Sequence, residues 1–218
     1  MTKEFRVGFC VSGEGRLFRA AANHASRLGI MPVLVLGETR CAEDLADFCA
    51  KRSIEFKSLD AGDRPMFDVE ITRLCIGAHL DLLCLTFDRI IPRALVEHYR
   101  GKIINVHMGL LPAFKGMHAL DQAIKFGARF AGATIHEVDE QIDHGAIVAQ
   151  CVVGIRREDT AETIGGRLFG LLRLTFLEML RWYSTGRVTR DEQGRIWIKG
   201  GVYGELPIAP SIEDSFPE

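Results

Sequence analysis

Apolar residues in the first hundred positions fall into two kinds of segment that alternate along the chain. Short apolar runs predict strands, and the segments between them show the apolar spacing of helices. The predicted strands are residues 5–11, 31–36, 54–59 and 80–86, and the predicted helices are residues 16–28, 41–51, 64–77 and 92–99. Repeats of this kind predict an α/β fold with a Rossmann-like, mostly parallel sheet, helices on both faces and ligands at the carboxyl ends of the strands.

The pattern changes after residue 100. The predicted elements are then a strand at 102–107, a helix at 118–126, strands at 133–138 and 146–155, a long helix opened by a capping box at 159–162 and ending at 183, and a β-hairpin within 187–203. We expect the last dozen residues to be loose. We predict one domain over residues 1–218, with a Rossmann-like half at 1–100, a second half at 101–186 and a terminal hairpin and tail at 187–218.

Composition narrows the class of protein. At 218 residues and 47% hydrophobic content the chain can bury a full core, and its 27 basic and 29 acidic residues give no sign of a nucleic-acid binder. No apolar stretch approaches the roughly 20 residues of a membrane helix, and no signal peptide precedes the first strand, so we expect a cytoplasmic protein without membrane contact. The cysteines and histidines lack metal-ligand spacing, so we expect no metal and reduced cysteines.

Polar side chains mark the end of the strand at 102–107. Asn105 and His107 are two residues apart, so they project on the same side, and a buried strand seldom ends in two polar groups for packing alone. Asp143, in a later loop before Gly145, adds a carboxylate. An amide donor, an imidazole and a carboxylate together suit acyl transfer. An isolated histidine is more often structural and an Asp before glycine often only shapes a turn, but Asn105 and Leu-Leu-Pro beside His107 favour the catalytic interpretation.

Four ordered motifs carry a family resemblance. The segments at 101–107, 110–116, 132–138 and 143–150 read GKIINVH, LLPAFKG, GATIHEV and DHGAIVAQ. Together they resemble the formyltransferases that use 10-formyltetrahydrofolate, and within that family the glycinamide ribonucleotide transformylases. The similarity extends from about residue 6 to about residue 197.

The resemblance implies roles for individual residues. Asn105, His107 and Asp143 are the implied catalytic residues, 10-formyltetrahydrofolate is the implied formyl donor, and a small-molecule amine is the implied acceptor. The second half of the chain would then be the folate-binding and catalytic half. The folate is expected to contact, largely through the backbone, Arg89, Ile90, Ile91, Met117, His136, Val138 and Asp139. The sequence leaves a monomer and a homodimer open.

The turn after the first strand departs from the family pattern and concerns the acceptor. A turn that leads from a strand into a helix either cradles a phosphate with its N–H groups or is only a tight connection. The family typically has Gly-Asn-Gly-Ser-Asn-Leu, whereas this chain has Gly13, Glu14, Gly15 and Arg16 followed by Leu-Phe. Arg16 suits a phosphate or a carboxylate, but Glu14 repels a phosphate.

Two further departures involve the acceptor pocket and the residues after the catalytic histidine. Leu172 stands where the family has a ribose-binding Glu, and Met108-Gly109 follow His107 in place of Pro-Ser. We therefore expect an acceptor such as hydroxyornithine, with an amino sugar as another option. The alternatives are formylation of glycinamide ribonucleotide in purine biosynthesis, hydrolysis of 10-formyltetrahydrofolate, and a non-catalytic folate sensor.

Overall fold

The computed structural model of the protein describes residues 4–38, 41–60, 62–214 and 216–217. The chain forms two compact units, of which the first ends at Asn105 and the second begins at Val106. None of the helices in the described ranges combines the length and the apolar character that a membrane crossing needs. The predicted α/β class, with a mostly parallel set of strands, a long C-terminal helix and a terminal β-hairpin, is confirmed.

The first unit contains a parallel sheet. Its strands, in chain order, are β1 (Phe5–Val11), β2 (Ile30–Glu38), β3 (Glu55–Leu59), β4 (Leu82–Thr86) and β5 (Ile103–His107), the last of which crosses the unit boundary. The spatial order is β5-β4-β1-β2-β3, and every pair is parallel. Both central strands, β1 and β4, are almost wholly buried. Such burial explains why they are continuous apolar runs without alternation.

Helices connect these strands. They are α1 (Arg16–Asn23), α2 (Ala25–Leu28), α3 (Leu45–Ala50), α4 (Arg64–Gly77) and α5 (Arg93–His98). The helix predicted at 16–28 is broken at His24, next to Asn23, because both are weak helix formers. The helix predicted at 41–51 starts only at α3, since the Ala42 N–H donates 2.9 Å to the Gly13 carbonyl and leaves the helical pattern.

The second unit packs a long helix against an antiparallel sheet. Its elements are α6 (Ala119–Phe126), β6 (Phe130–Glu137), β7 (Ile147–Gly154), α7 (Ala161–Ser184), β8 (Val188–Arg190), β9 (Ile196–Ile198) and β10 (Ile208–Ala209). Strand β7 pairs antiparallel with β6 and with β10, and β8 and β9 form the predicted hairpin. Helix α7 lies on β6 and β7. Its apolar stripe is buried there, which is the expected stabilisation of an amphipathic helix.

The prediction of a loose C-terminal tail was wrong. Strand β10 pairs with β7, and Phe216 is buried. The Arg187 guanidinium donates to both carboxylate oxygens of Glu213 at 2.7 and 2.5 Å, and Arg173 donates to the Phe216 carbonyl at 3.1 Å. The tail binds through isolated apolar and charged anchors, which produce no periodic pattern in the sequence.

The capping box at the start of α7 gives a stability prediction. Thr160 Oγ1 accepts from the Thr163 N–H at 3.3 Å, and Thr163 Oγ1 accepts from the Thr160 N–H at 2.9 Å. Because Ala cannot accept, Thr160→Ala should lower the free energy of unfolding by about 0.5–2 kcal/mol in urea titrations. Thr160→Ser keeps the acceptor and should stay close to the parent. Equal stability of the Ala and Ser variants would contradict the cap.

Candidate active site

His107 ends β5 as a buried imidazole. Its Nε2 lies 2.8 Å from the Phe114 carbonyl, and only 8% of its side chain is exposed. Gly109 makes room for the ring, because a Cβ there would lie 2.5 Å from His107 Nε2. Asn105 precedes His107 by two residues in the same strand and is half-buried. That its amide joins the imidazole in one cleft stays a prediction.

Asp143 reaches the same imidazole from the loop between β6 and β7. Its Oδ2 is 3.3 Å from His107 Nδ1 and accepts the Gly116 N–H at 2.8 Å, and the carboxylate is 8% exposed. The Asp143 backbone has φ +50°, a left-handed conformation that Asp tolerates better than most residues and that occurs often at functional positions. The structure therefore brings together two of the three predicted catalytic side chains.

His136 lies on the other side of the Asp143 carboxylate. Its Nε2 is 3.5 Å from Asp143 Oδ1, and its Nδ1 lies 2.8 Å from the Glu137 carbonyl. Since a carbonyl only accepts, Nδ1 carries a proton. Burial lowers the pKa of His136, against the opposing effects of the Glu137 carbonyl and the Asp143 charge. At neutral pH the imidazole is uncharged and directs a lone pair at Asp143.

These contacts require an additional proton. Donation to the Phe114 carbonyl uses one proton on His107, and donation to the Glu137 carbonyl uses one on His136. Two neutral imidazoles hold only these two protons, so His107 Nδ1 and Asp143 Oδ2 would face each other as lone pairs at 3.3 Å. An attractive contact between these two atoms needs a third proton, on His107 or on Asp143. The His136 Nε2 lone pair, 3.5 Å from Asp143 Oδ1, is satisfied only when that oxygen carries a proton.

Close backbone approaches hold the loop between β6 and β7 in place. The Glu137 N–H donates 2.9 Å to the Ala146 carbonyl and so closes the loop at its base. A Cβ on Gly145 would lie 1.8 Å from the Glu137 carbonyl oxygen, so only glycine fits. The loop is thus fixed at both ends on either side of Asp143.

Two polar residues that sequence reasoning missed shape the segment after His107. The buried Thr134 hydroxyl donates to the Gly109 carbonyl at 2.6 Å and accepts the Leu111 N–H at 3.1 Å. The Gln150 amide donates to the Leu111 carbonyl and to the Thr134 hydroxyl, both at 3.0 Å. Single polar residues between apolar neighbours, Thr134 in β6 and Gln150 in β7, were the available signal.

The other residues expected at the folate lie around this cluster in the second unit. Met117, next to the Gly116 that contacts Asp143, and Ile142 are each 64% exposed. Val138 and Asp139 are half-buried at the start of the loop. The Asp139 carboxylate accepts the Gln141 N–H at 2.8 Å and lies 3.0 Å from His144 Nδ1, so it also stabilises the loop.

The folate residues predicted in the first unit follow β4. Arg89 donates to both carboxylate oxygens of Glu38, at 3.1 and 3.3 Å, so its guanidinium is engaged within that unit. Ile90 is exposed, whereas the Ile91 side chain is buried. A ligand would therefore contact Ile91 through its backbone and not through its buried side chain. The folate roles of these residues stay predictions.

The turn after β1 is a well-defined loop in the first unit. Gly13 and Gly15 have φ +56° and +62°, conformations that favour glycine, and the Arg19 guanidinium donates to the Glu14 carbonyl at 2.8 Å. Arg16 Nε lies 3.8 Å from a Glu14 carboxylate oxygen, and the two side chains are 60% and 75% exposed. Glu14 and Arg16 thus contact each other while remaining accessible.

Two further positions bear on the site. Leu172, aligned with a ribose-binding position of the family, is buried in the core of the second unit. Across residues 4–38, 41–60, 62–214 and 216–217, no group of three or more His, Cys, Asp or Glu side chains is arranged to hold a metal ion.

Fold and site together define a class, the α/β proteins with a buried acid–imidazole cluster at the carboxyl end of a strand. Residues 5–172 match the family model described as formyl transferase, and the protein belongs to this family.

Individual relatives are named as phosphoribosylglycinamide formyltransferases or as a trifunctional purine biosynthetic protein. The chain is 45% identical over 120 residues to phosphoribosylglycinamide formyltransferase of Bacillus subtilis, covering 55% of this chain and 62% of that protein. It is 34% identical over 192 residues to the trifunctional purine biosynthetic protein adenosine-3 of Drosophila pseudoobscura pseudoobscura. This match covers 85% of this chain but only 14% of the length of that protein. The crystal structure of phosphoribosylglycinamide formyltransferase from Anaplasma phagocytophilum matches with a TM-score of 0.81 and 31% identity, over 91% of this chain and 96% of that one.

The lowered pKa of His136 gives a pH prediction. Folding favours the neutral imidazole, so the stabilisation is present above the ordinary pKa of 6.5 and is lost as the pH falls. The ring resonances of His136 should titrate with a midpoint below 6.5 in NMR spectra. The free energy of unfolding should fall more steeply with acidification in the parent than in His136→Gln. A midpoint at or above 6.5 would contradict this assignment.

Proposed function

We propose that the protein transfers the formyl group of 10-formyltetrahydrofolate to the amine nitrogen of a small acceptor. Family membership supports the formyl donor. The observation that carries the chemistry is the 3.3 Å contact between His107 Nδ1 and Asp143 Oδ2 beside a neutral His136. A carboxylate that exchanges a proton with an adjacent imidazole suits a reaction in which an amine loses a proton and a leaving nitrogen gains one.

Each residue has a distinct task in this proposal. The bound donor supplies an activated formyl carbon. Asp143 accepts the proton of the attacking amine, directly or through one water, and returns it to the leaving nitrogen. His107, when it carries the additional proton, stabilises negative charge on the formyl oxygen through its positive charge, and we assign the Asn105 amide as the hydrogen-bond donor to that oxygen. Burial strengthens these interactions, because fixed donors in a dry site need no reorganisation.

The second unit has surface properties that fit a reduced folate. Met117 and Ile142 are exposed apolar side chains on the two segments that the bond between Gly116 and Asp143 joins. A flat group that is apolar on its faces and polar at its edges can lie on such side chains while its edges reach backbone groups. We propose that the residues from Val138 to Asp143 bind the pterin in this way.

Glycinamide ribonucleotide is the acceptor that the relatives favour. The proteins from Bacillus subtilis and Anaplasma phagocytophilum are both named phosphoribosylglycinamide formyltransferases. In this proposal the backbone N–H groups of the turn at 13–16 and the Arg16 guanidinium bind the acceptor phosphate. Glu14 weakens that binding, because its carboxylate lies next to Arg16.

A second candidate acceptor follows from the pair of Glu14 and Arg16. Their charges are opposite, adjacent and largely exposed. A zwitterionic amine without a phosphate, such as hydroxyornithine, presents an ammonium group to Glu14 and a carboxylate to Arg16. An amino sugar would use Glu14 alone. The acceptor panel described below separates these possibilities.

Removing either partner of the acid–imidazole pair tests the chemistry. Asp143→Asn and His107→Ala should each lower kcat about 10²- to 10⁴-fold, since each removes a proton-transfer group or a charge-stabilising donor. Glu158→Gln, at a carboxylate that is 91% exposed, serves as the control and should leave kcat unchanged. Folate binding by Asp143→Asn, measured by calorimetry, establishes that the site is intact. A rate for Asp143→Asn within threefold of the parent would sink the proposed mechanism.

The acceptor is tested with a panel and one variant. Glycinamide ribonucleotide, hydroxyornithine and an amino sugar are each incubated with the protein and 10-formyltetrahydrofolate, and formylated product is measured by mass spectrometry. If the first is the acceptor, Glu14→Asn should lower its KM about 3- to 10-fold by removing like-charge repulsion. Glu55→Gln, another exposed acid of the same unit, should not change it. Turnover with hydroxyornithine alone would instead establish the zwitterion, and release of formate without any acceptor would identify a hydrolase.

A further inference from the structure

Glu137 is a buried carboxylate for which the proposed reaction has no use. It ends β6, and only 8% of its side chain is exposed. One carboxylate oxygen accepts from the Tyr183 hydroxyl at 3.0 Å, and the other accepts from the Arg190 guanidinium in a short hydrogen bond. Its partners belong to α7 and to β8 of the terminal hairpin, so one side chain connects three elements of the second unit.

The main chain of the same residue lies within the acid–imidazole cluster. Its carbonyl is the group that His136 Nδ1 contacts at 2.8 Å. Its N–H closes the loop at Ala146, and its carbonyl lies against Gly145 so closely that no side chain fits there. The position of residue 137 therefore determines the orientation of the His136 ring and the base of the loop that carries Asp143.

A carboxylate is an expensive group to bury for packing alone. Removing it from water is unfavourable unless charged and hydrogen-bonded partners compensate. Here both oxygens have such partners, and those partners are themselves held, Tyr183 by a 24-residue helix and Arg190 by a hairpin strand. The Glu137 side chain thus anchors the end of β6, where the loop that carries Asp143 begins, to α7 and β8.

We propose that Glu137 is a positioning residue for the formyl transfer proposed above, on which this inference rests. Its bonds to Tyr183 and Arg190 keep the residue 137 carbonyl where it selects the Nδ1–H tautomer of His136. That tautomer leaves Nε2, 3.5 Å from Asp143 Oδ1, as an acceptor for the proton that Asp143 takes from the attacking amine. When the side-chain bonds are absent, the loop base shifts, His136 samples both tautomers, and the contact between Asp143 and His107 loses its fixed geometry.

The test combines kinetics with a measurement that needs no substrate. Glu137→Ala should lower kcat about 10- to 100-fold, the size expected when a catalytic group is misplaced by about 1 Å, with a smaller change in the KM for the folate. Long-range ¹H–¹⁵N spectra of the histidine rings should show only Nδ1–H for His136 in the parent and a mixture of tautomers in the variant. Glu137→Gln, which still accepts from Tyr183, should restore part of both.

Matched variants separate positioning from general stability. Tyr183→Phe and Arg190→Gln each remove one hydrogen bond to Glu137, and each should change kcat and the His136 tautomer less than Glu137→Ala does. These two variants replace Glu137→Ala in the test if that variant does not fold. Arg167→Gln removes a comparable ion pair with Asp159 at the opposite end of α7 and should change neither kcat nor the His136 tautomer.

Two results would overturn the proposal. One is an unmixed Nδ1–H tautomer of His136 in Glu137→Ala and in both single-bond variants. The other is an equal loss of kcat in Arg167→Gln, which would indicate a purely structural role. If the parent formylates no acceptor, the proposed function fails while the ring spectra still decide whether Glu137 sets the tautomer.

Discussion

The placement of one carboxylate between two imidazoles is the constraint on which the second unit depends. Asp143 lies 3.3 Å from His107 Nδ1 and 3.5 Å from His136 Nε2, and all three side chains are buried. Burying these groups is favourable only when protons and partners are distributed so that no lone pairs oppose each other. Much of the surrounding backbone provides those partners, through the carbonyls of Phe114 and Glu137 and the N–H of Gly116.

This constraint explains why small and polar residues occur where the apolar pattern would not require them. Gly109 and Gly145 both lie where a Cβ would collide, one with the His107 ring and the other with the Glu137 carbonyl. Thr134, wholly buried inside β6, holds the chain after His107 by accepting and donating one bond each. Each of these residues fixes backbone, and the fixed backbone orients the titratable groups. In this part of the molecule, the residues that allow close packing therefore also orient the acid–imidazole cluster.

The sequence predicts the elements whose stability comes from regular burial. The parallel strands, the full extent of α4 and the long helix α7 follow from continuous or periodic apolar positions. Spacing within a strand and a resemblance both pointed to His107 and Asp143, and these side chains lie in contact, while their catalytic roles stay predictions. The prediction failed for the tail, and it missed Thr134 and Gln150, since those contacts join residues that no local pattern connects. The role of Glu137 was not predictable either, because its partners Tyr183 and Arg190 lie about fifty positions away in the sequence.

Substitutions in the buried acid–imidazole cluster and in the turn at 13–16 carry different energetic costs. His107, Asp143 and His136 share buried bonds, so replacing any one leaves an unsatisfied polar group beside the others. Glu14 and Arg16 are mostly exposed and share one loose contact, and the backbone of their turn is held by other groups, including Arg19 and Gly15. Exposed pairs of this kind add little to stability. Substitutions at residues 14 and 16 should therefore cost little stability, whereas those around Asp143 are constrained by the fold itself.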